Sequence, residues 1–220
     1  MKKVIVLDHN EELLNELPKN DRLLAFKCDI TNSSAVESII RDVFQNYGGI
    51  NVCINNAGII HSEPIVNLLL AEDKKHSKLY WGKVIDVNLN AVFYISSNII
   101  EQMLLKKERG VIINISSISA RGNIGQSAYA ASKAAVEALS RTWSKELGMF
   151  KIRSVSIAPG FFDTPSTRES LSESMLTRWQ RAIPLGRLGN LEELLSTVKF
   201  VIENDYLNGK TIELDGGLIL

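Results

Sequence analysis

The alternation of short apolar runs with longer helical segments constrains the fold most. Strands that alternate with helices favour a parallel sheet covered on both faces, because each parallel crossover needs a long connection. Residues 59–77 form a polar loop, and residues 161–188 are a candidate lid of loop and short helix. The predicted strands are residues 3–7, 23–28, 51–54, 111–113, 153–158 and 211–214, and the predicted helices are residues 11–16, 31–47, 79–106, 128–147 and 191–203.

Size and charge exclude several classes of function. The chain has 220 residues, 45% of them hydrophobic, with 25 basic and 25 acidic side chains, so one globular domain over residues 1–220 is expected. The even charge gives no indication of nucleic-acid or anionic-membrane binding. No apolar stretch is as long as a bilayer span and no signal peptide is recognised, so a cytoplasmic location is expected.

Tyr129 and Lys133 form the most informative pair of side chains. They follow an apolar run and the serines of Asn114-Ile-Ser-Ser117, and they are four residues apart on a predicted helix, hence on one face. A nearby ammonium favours the phenolate, which predicts a lowered pKa for Tyr129 and a role in proton transfer. A serine at the end of the strand could then hold a substrate oxygen beside the phenol. The alternative is an Ala-rich helix that packs for its own sake.

Polar or small residues also follow two other predicted strands. Asp8 ends the first strand, where a carboxylate suits the ribose hydroxyls of an adenine nucleotide and repels a 2′-phosphate; a solvated turn aspartate is the alternative. Asn55-Asn56-Ala57-Gly58 ends the third strand, where a cofactor could approach the backbone, although a simple Asx turn is possible. On spacing alone, Asn88 is an exposed or locally bonded asparagine within a helix.

Cysteine and histidine usage gives no support for a metal site. Cys28 and Cys53 lie in or at the end of apolar runs and are expected to be small buried side chains. There is no CxxC motif and no cluster of histidines in the sequence. His9, His61 and His76 lie in polar surroundings and are expected to face solvent.

In these motifs the chain resembles the short-chain dehydrogenase/reductase family from Lys3 to its C-terminus. Within the family it is most similar to type II 3-hydroxyacyl-CoA dehydrogenases and 3-oxoacyl-acyl-carrier-protein reductases, on the segments APGFFDTP and VIENDYLNGKTIELDGG. The resemblance implies a Rossmann-like, doubly wound parallel sheet of the α/β class. The motifs that carry it are Asn55-Asn56-Ala57-Gly58, Asn88, the NISS serines, Tyr129-Ala-Ala-Ser-Lys133, Pro159-Gly160 and Asp215-Gly216-Gly217.

The resemblance also implies a role for each of these positions. Tyr129 is the general acid/base, Lys133 holds the nicotinamide ribose and lowers the Tyr129 pKa, Ser117 orients the substrate oxygen, and Asn88 supports a water in the proton relay. The cofactor is NAD rather than NADP because of Asp8. Its implied contacts are Asp8, Asp29, Ile30, Asn56, Ala57, Gly58, Tyr129, Lys133, Pro159, Gly160, Phe162 and Thr164. Relatives pair through their long helices, so a homodimer or homotetramer is expected.

One departure from the family pattern is local. Ser117 and Tyr129 are twelve residues apart, one fewer than in most relatives. Either the loop over residues 119–125 is one residue shorter, or Ser116 takes the role of Ser117. The unchanged distance from Asn114 to Ser117 favours the shorter loop.

The second departure concerns the N-terminal end of the fold. Relatives begin with a strand, a TGxxxGxG loop and a helix that hold the cofactor pyrophosphate, and this first βα unit is missing before residue 3. The missing strand would be central to the sheet. Three explanations are open: a start site upstream of Met1, a truncated remnant that has lost tight NAD binding, or a sheet in which the Asp8 strand pairs directly with the strand over residues 51–54.

The sequence therefore predicts an NAD-dependent oxidoreductase that interconverts a secondary alcohol and a ketone, with 3-hydroxyacyl and 3-oxoacyl thioesters as the leading substrates. A non-catalytic protein of the same fold is one alternative. A steroid or sugar dehydrogenase is another, because the loop over residues 161–188 is the part that varies among such enzymes.

Overall fold

The computed structural model describes residues 3–170 and 172–219. Strands and helices alternate along the chain, as the sequence predicts. The strands are β1 (Val4–Asp8), β2 (Leu23–Lys27), β3 (Val52–Asn55), β4 (Gly110–Ile115), β5 (Ile152–Pro159) and β6 (Thr211–Leu214). The helices are α1 (Glu11–Glu16), α2 (Ser33–Asn46), α3 (Lys78–Ile85), α4 (Ala91–Lys106), α5 (Ser127–Leu147), α6 (Pro165–Ser170), α7 (Glu173–Ala182) and α8 (Leu191–Glu203).

All strand pairs are parallel, which confirms the α/β class, but the strands form two separate sheets. β1 pairs with β2, and the order in the second sheet is β3-β4-β5-β6. Among the described residues, β1 and β3 are not hydrogen-bonded to each other. The idea that the Asp8 strand pairs beside β3 is therefore wrong. Val4 of β1 and Ile54 of β3 are 59% and 44% exposed, so both strands keep apolar surface in contact with solvent.

The four-stranded sheet is the better buried of the two. On one face Ile112 and Ile152 pack with residues of α2, α4 and α5, including Phe44 and Met103. On the other face the strand residues Val111, Ile113, Val155 and Ile157 pack against Val201 of α8. Helices on both faces explain why nearly every residue of β4 and β5 is buried, whichever face its side chain is on.

The predicted helix over residues 79–106 is interrupted. Between α3 and α4 the chain makes a π-helical turn, Asp86–Asn90, with Asn88 at its centre. The wider turn lets an otherwise amphipathic helix direct one asparagine inward, and such π turns occur often at functional sites.

Candidate active site

A cavity of about 260 Å³ opens at the carboxyl ends of β3, β4 and β5. Ligands of open parallel sheets bind outside the carboxyl ends of the strands, so this is the expected place for a site. Its lining unites distant parts of the sequence: Asn56, Gly58, Ile59, Ile60, Ile115, Ser116, Ser117, Tyr129, Lys133, Pro159 and Gly160. The structure thus brings together seven of the predicted site residues around one cavity.

Tyr129 and Lys133 lie one turn apart on α5, as their spacing predicts. The Lys133 Nζ is 5.7 Å from the centre of the Tyr129 ring and donates a hydrogen bond to the Ile115 carbonyl oxygen at 2.7 Å. Burial lowers the pKa of Lys133 to about 8, because the charged form is disfavoured away from water. The Lys133 ammonium is therefore anchored to β4, and its remaining N–H groups can still donate hydrogen bonds to a ligand.

The pKa of Tyr129 differs from the expectation. Burial raises it above the usual value of a phenol, and a hydrogen bond with Ser117 opposes that rise only in part. Desolvation of the phenolate is the larger of the two causes, so the lowering expected from Lys133 is absent in the free protein. In the free protein Tyr129 therefore keeps its proton at neutral pH.

The two adjacent serines have different partners. The Ser116 hydroxyl lies 3.2 Å from the Lys133 carbonyl oxygen and 2.9 Å from the Glu137 carboxylate, so it ties β4 to α5. The Ser117 Oγ accepts a hydrogen bond from the Ser119 N–H at 3.1 Å and interacts with Tyr129. Of the two, Ser117 is the one directed to the phenol.

Asn88 is fully buried, so the exposed or locally bonded asparagine expected from spacing alone is wrong. Its side-chain amide accepts from the Ile59 N–H at 2.8 Å and donates to the Ile59 carbonyl oxygen at 2.9 Å. It also lies 3.3 Å from the Ser132 hydroxyl. Asn88 thereby fixes the chain that follows β3 against the π turn and α5.

A buried polar network beneath the cavity was missed by sequence reasoning. Asn55 donates to the Asn114 side-chain oxygen at 2.7 Å and to the Ser96 hydroxyl at 2.9 Å. Asn114 in turn donates to Ser140 at 2.8 Å, and Ser156 donates to the same hydroxyl at 2.6 Å. These contacts hold β3, β4 and β5 in fixed relation to α4 and α5. Polar residues at buried strand positions were the signal available in the sequence.

The remaining predicted cofactor residues lie outside the cavity lining. The Asp8 carboxylate, at the end of β1, accepts from the Asn10 N–H at 2.8 Å, and exposed Asp29 accepts from the Thr31 N–H at 2.9 Å. Partly buried Ile30 packs against the main core. Ala57 is exposed and does not line the cavity.

Two more predicted contacts, Phe162 and Thr164, follow Gly160. The buried Phe162 ring packs on Gly189, where a Cβ would lie 2.8 Å from it. Thr164 caps the turn that leads into α6 through the Thr167 N–H at 3.1 Å. Their side chains therefore have structural partners of their own.

Comparison with known proteins agrees with this geometry. A family model described as Enoyl-(Acyl carrier protein) reductase matches residues 2–219. A crystal structure of a short chain dehydrogenase from Bacillus anthracis is similar over 98% of this chain and 85% of that one, with a TM-score of 0.84 and 29% identity. The chain belongs to the short-chain dehydrogenase/reductase family. This confirms the resemblance and makes the protein a member of a family of NAD(P)-dependent oxidoreductases.

Two curated relatives are named for acyl substrates, one for a 3-oxoacyl-[acyl-carrier-protein] and the other for a (3R)-3-hydroxyacyl-CoA. The chain is 37% identical to the 3-oxoacyl-[acyl-carrier-protein] reductase FabG of Thermotoga maritima, over 99% of this chain and 87% of that protein. It is 35% identical to the (3R)-3-hydroxyacyl-CoA dehydrogenase of Canis lupus familiaris, over 89% of this chain and 74% of that protein. Among the described helices, none combines the length and the apolar character needed to cross a bilayer.

Proposed function

We propose that the protein interconverts 3-oxoacyl and 3-hydroxyacyl thioesters with a nicotinamide cofactor, with Tyr129 as the proton donor and acceptor. One observation carries the proposal: Ser117, Tyr129 and Lys133 surround a single cavity at the carboxyl ends of the parallel strands. The thioester class follows from the named activities of the two relatives, and it places the reaction in fatty acid metabolism.

The residues around the cavity fit the nicotinamide end of such a cofactor. A Cβ on Gly58 would lie 3.3 Å from the Asn88 side-chain oxygen and 3.4 Å from the Lys133 Nζ, so the bare glycine leaves room above both groups. Asn56, Gly58, Pro159 and Gly160 would hold the nicotinamide, and Lys133 would bind the ribose. Asp8, at the end of β1, and Asp29, two residues after β2, would face the adenosine, and the Asp8 carboxylate favours NAD over NADP.

Proton transfer falls to Tyr129 and orientation to Ser117. When bound, the reduced cofactor supplies a hydride to the carbonyl carbon. The Ser117 hydroxyl donates to the carbonyl oxygen, and Tyr129, which the raised pKa keeps protonated, delivers its proton to that oxygen. The Lys133 ammonium stabilises the phenolate left behind, and Asn88 holds the Ile59 backbone at the rim of the cavity.

Replacement of Tyr129 by phenylalanine tests this proposal directly. With acetoacetyl-CoA and NADH or NADPH, Tyr129→Phe should lower kcat by about 10²–10⁴-fold, the usual contribution of general acid/base catalysis. Tyr206→Phe is the matched control, because Tyr206 is 100% exposed. Circular dichroism should show both variants folded, and turnover retained by Tyr129→Phe would refute the assignment.

A second candidate is a non-catalytic protein of the same fold, and the division of the sheet between β1 and β3 favours it. It predicts no saturable binding of NADH at millimolar concentration in a fluorescence titration. A steroid or sugar dehydrogenase is the remaining alternative. Turnover measured with a panel of acetoacetyl-CoA, steroids and polyols would distinguish these substrate classes.

We also propose self-association through α4 and α5. A largely apolar groove of about 420 Å³ lies on these helices and includes Phe93, Leu104, Leu105 and Trp143. Phe93 and Leu105 are 51% and 71% exposed in the single chain. Light scattering should give a dimer or tetramer, and a monomer would count against this role.

A single domain in the cytoplasm remains the expectation from the sequence.

A further inference from the structure

His61, Glu63 and His76 form a compact cluster in the segment between β3 and α3. The His61 Nε2 is 3.2 Å from the Glu63 Oε2, and the His76 Nδ1 is 3.6 Å from the same oxygen. One potential ligand atom from each of the three residues lies within 4.8 Å of the others. The expectation that the histidines face solvent is wrong for His76, whose side chain is 4% exposed.

The spacing of these atoms is close to that of a tetrahedral zinc site. Nitrogen and oxygen ligands at about 2.0–2.2 Å from zinc are separated from one another by about 3.3–3.6 Å. Two of the pairs already have this separation, so a small side-chain movement would complete the set. Two histidines and one glutamate form a ligand set that zinc uses in proteins, with a water in the fourth position.

The surroundings favour a bound cation over a self-contained ion pair. The His76 Nε2 is buried without a hydrogen-bond partner among the described residues, while its Nδ1 lies 3.1 Å from the Ser77 carbonyl oxygen. With Nδ1 as the ligand atom, as in the distances above, this nitrogen faces two oxygen atoms, that of the Ser77 carbonyl and that of the Glu63 carboxylate at 3.6 Å, and a cation bound among them would be attracted to all three atoms. The Glu63 Oε2 also accepts a hydrogen bond from the Ser77 N–H at 2.9 Å, which fixes the carboxylate beside the two imidazoles.

Aromatic rings enclose the cluster. Tyr80 of α3 stacks on His61 with ring centres 4.0 Å apart, and Trp81 meets the His76 ring edge-on at 6.3 Å. Both contacts restrict rotation of the imidazoles. Rigid ligands favour metal binding because little conformational entropy is lost on coordination.

We propose that His61, Glu63 and His76 bind a divalent transition-metal ion, with zinc as the best match. The ion joins the segment after β3 to the start of α3. This segment is also attached to the loop before α5, through the Glu63 N–H to the Gly125 carbonyl oxygen at 2.7 Å and through Gln126 to the Ser62 hydroxyl at 3.3 Å. Ile59 and Ile60, which line the cavity, directly precede His61. The metal therefore stabilises the wall of the active site rather than taking part in the reaction.

Zinc binding to the full chain tests the proposal. After treatment with a chelator, isothermal titration with Zn²⁺ should show one ion per chain, and Co²⁺ should give the intense visible absorption of a tetrahedral site. Glu63→Gln and His61→Ala should each weaken Zn²⁺ binding by at least about tenfold. His9→Ala is the matched control, because His9 is the only other histidine and its side chain is 84% exposed.

The possible results separate this site from the proposed activity. Binding that is lost in both cluster variants but kept in His9→Ala supports the site, whatever the activity with acetoacetyl-CoA. Saturable binding that is unchanged in Glu63→Gln and His61→Ala would overturn it, as would no binding to the wild-type chain. Because His61 and Glu63 are partly exposed, both variants should fold, and circular dichroism verifies this.

Discussion

At the scale of single residues, Lys133 gives the clearest pH dependence. Its pKa is about 8 in the folded chain, below the ordinary 10.5. Below pH 8 the lysine is protonated in both the folded and the unfolded state. Between pH 8 and 10.5 the folded chain has released this proton while the unfolded chain retains it, so stability rises with pH.

We therefore expect the unfolding free energy of the wild type to rise by about 2 kcal/mol between pH 7 and 9.5, relative to that of Lys133→Met. Chemical denaturation of both proteins across this range measures the difference. Lys145→Met, at an exposed position of α5, is the matched control. A difference that does not change with pH would show that the buried amine is not the cause.

The adjacent serines should separate catalysis from stability. Ser117→Ala removes the donor beside Tyr129 and should lower kcat by about 10²-fold, as loss of a hydrogen bond to a reacting oxygen does. Ser116→Ala removes contacts to α5 and should cost about 1 kcal/mol of stability with kcat close to wild type. Steady-state kinetics and thermal unfolding of both variants measure this. A loss of kcat in Ser116→Ala as large as in Ser117→Ala would reverse the roles.

The sequence predicted the positions of the site residues better than their chemistry. A four-residue spacing on a helix is enough to place Tyr129 beside Lys133, since the helix repeat determines it. The pKa of Tyr129 depends on how much water the fold removes, and local sequence does not contain that quantity. The histidine cluster was missed for a related reason: His61 and His76 are separated by 15 positions and meet only through the path of an irregular loop.

At the scale of elements, the π turn between α3 and α4 is the feature that positions Asn88. Asn88→Ala removes both partners of the Ile59 backbone and should destabilise the chain by about 1–2 kcal/mol, with water replacing part of the loss because Ile59 is 41% exposed. The Ile59 amide should also exchange its hydrogen faster, as mass spectrometry can detect.

Asn90→Ala is the matched control for this prediction. Asn90 lies in the same π turn, and its exposed hydrogen bond goes to Asp86 at 2.8 Å. Asn90→Ala should leave the hydrogen exchange of the Ile59 amide unchanged. Equal effects of the two substitutions would mean that the turn, and not the Asn88 amide, controls the loop.

Regular elements were predictable where one strong pattern governs them. Helix 191–203 and strand 211–214 match α8 and β6 at both ends. Asn190 caps the start of α8, and β6 begins with the β-branched residues Thr211 and Ile212. The π turn was not predictable, since apolar spacing on both of its sides supports a single helix. The π turn is stabilised by the hydrogen bonds of Asn88 to Ile59 and Ser132, and the hydrophobic periodicity of the sequence does not reveal such tertiary contacts.

At the scale of the whole molecule, the two sheets should differ in stability. No residue of β1 or β2 is buried, whereas seven of the eight residues of β5 are. Opening of a poorly buried pair costs little free energy compared with opening of a buried core. The division of the sheet was not predictable from local sequence, because the separation of β1 from β3 depends on long-range strand pairing.

Hydrogen exchange measures this difference. Amides paired between β4 and β5 should be protected at least about 10²-fold more than those between β1 and β2. The comparison is made within one molecule, so it needs no variant. Equal protection in the two sheets would show that they unfold as one cooperative unit.

The network of Asn55, Ser96, Asn114, Ser140 and Ser156 has a consequence for how the sequence can change over evolution. Loss of any one member removes at least one hydrogen bond from a buried partner, whereas joint replacement by apolar residues of similar shape can be almost neutral. A single substitution is therefore expected to destabilise the chain more than the joint change would. The residues at these five positions, which span about a hundred residues of the chain, should therefore covary among homologous sequences.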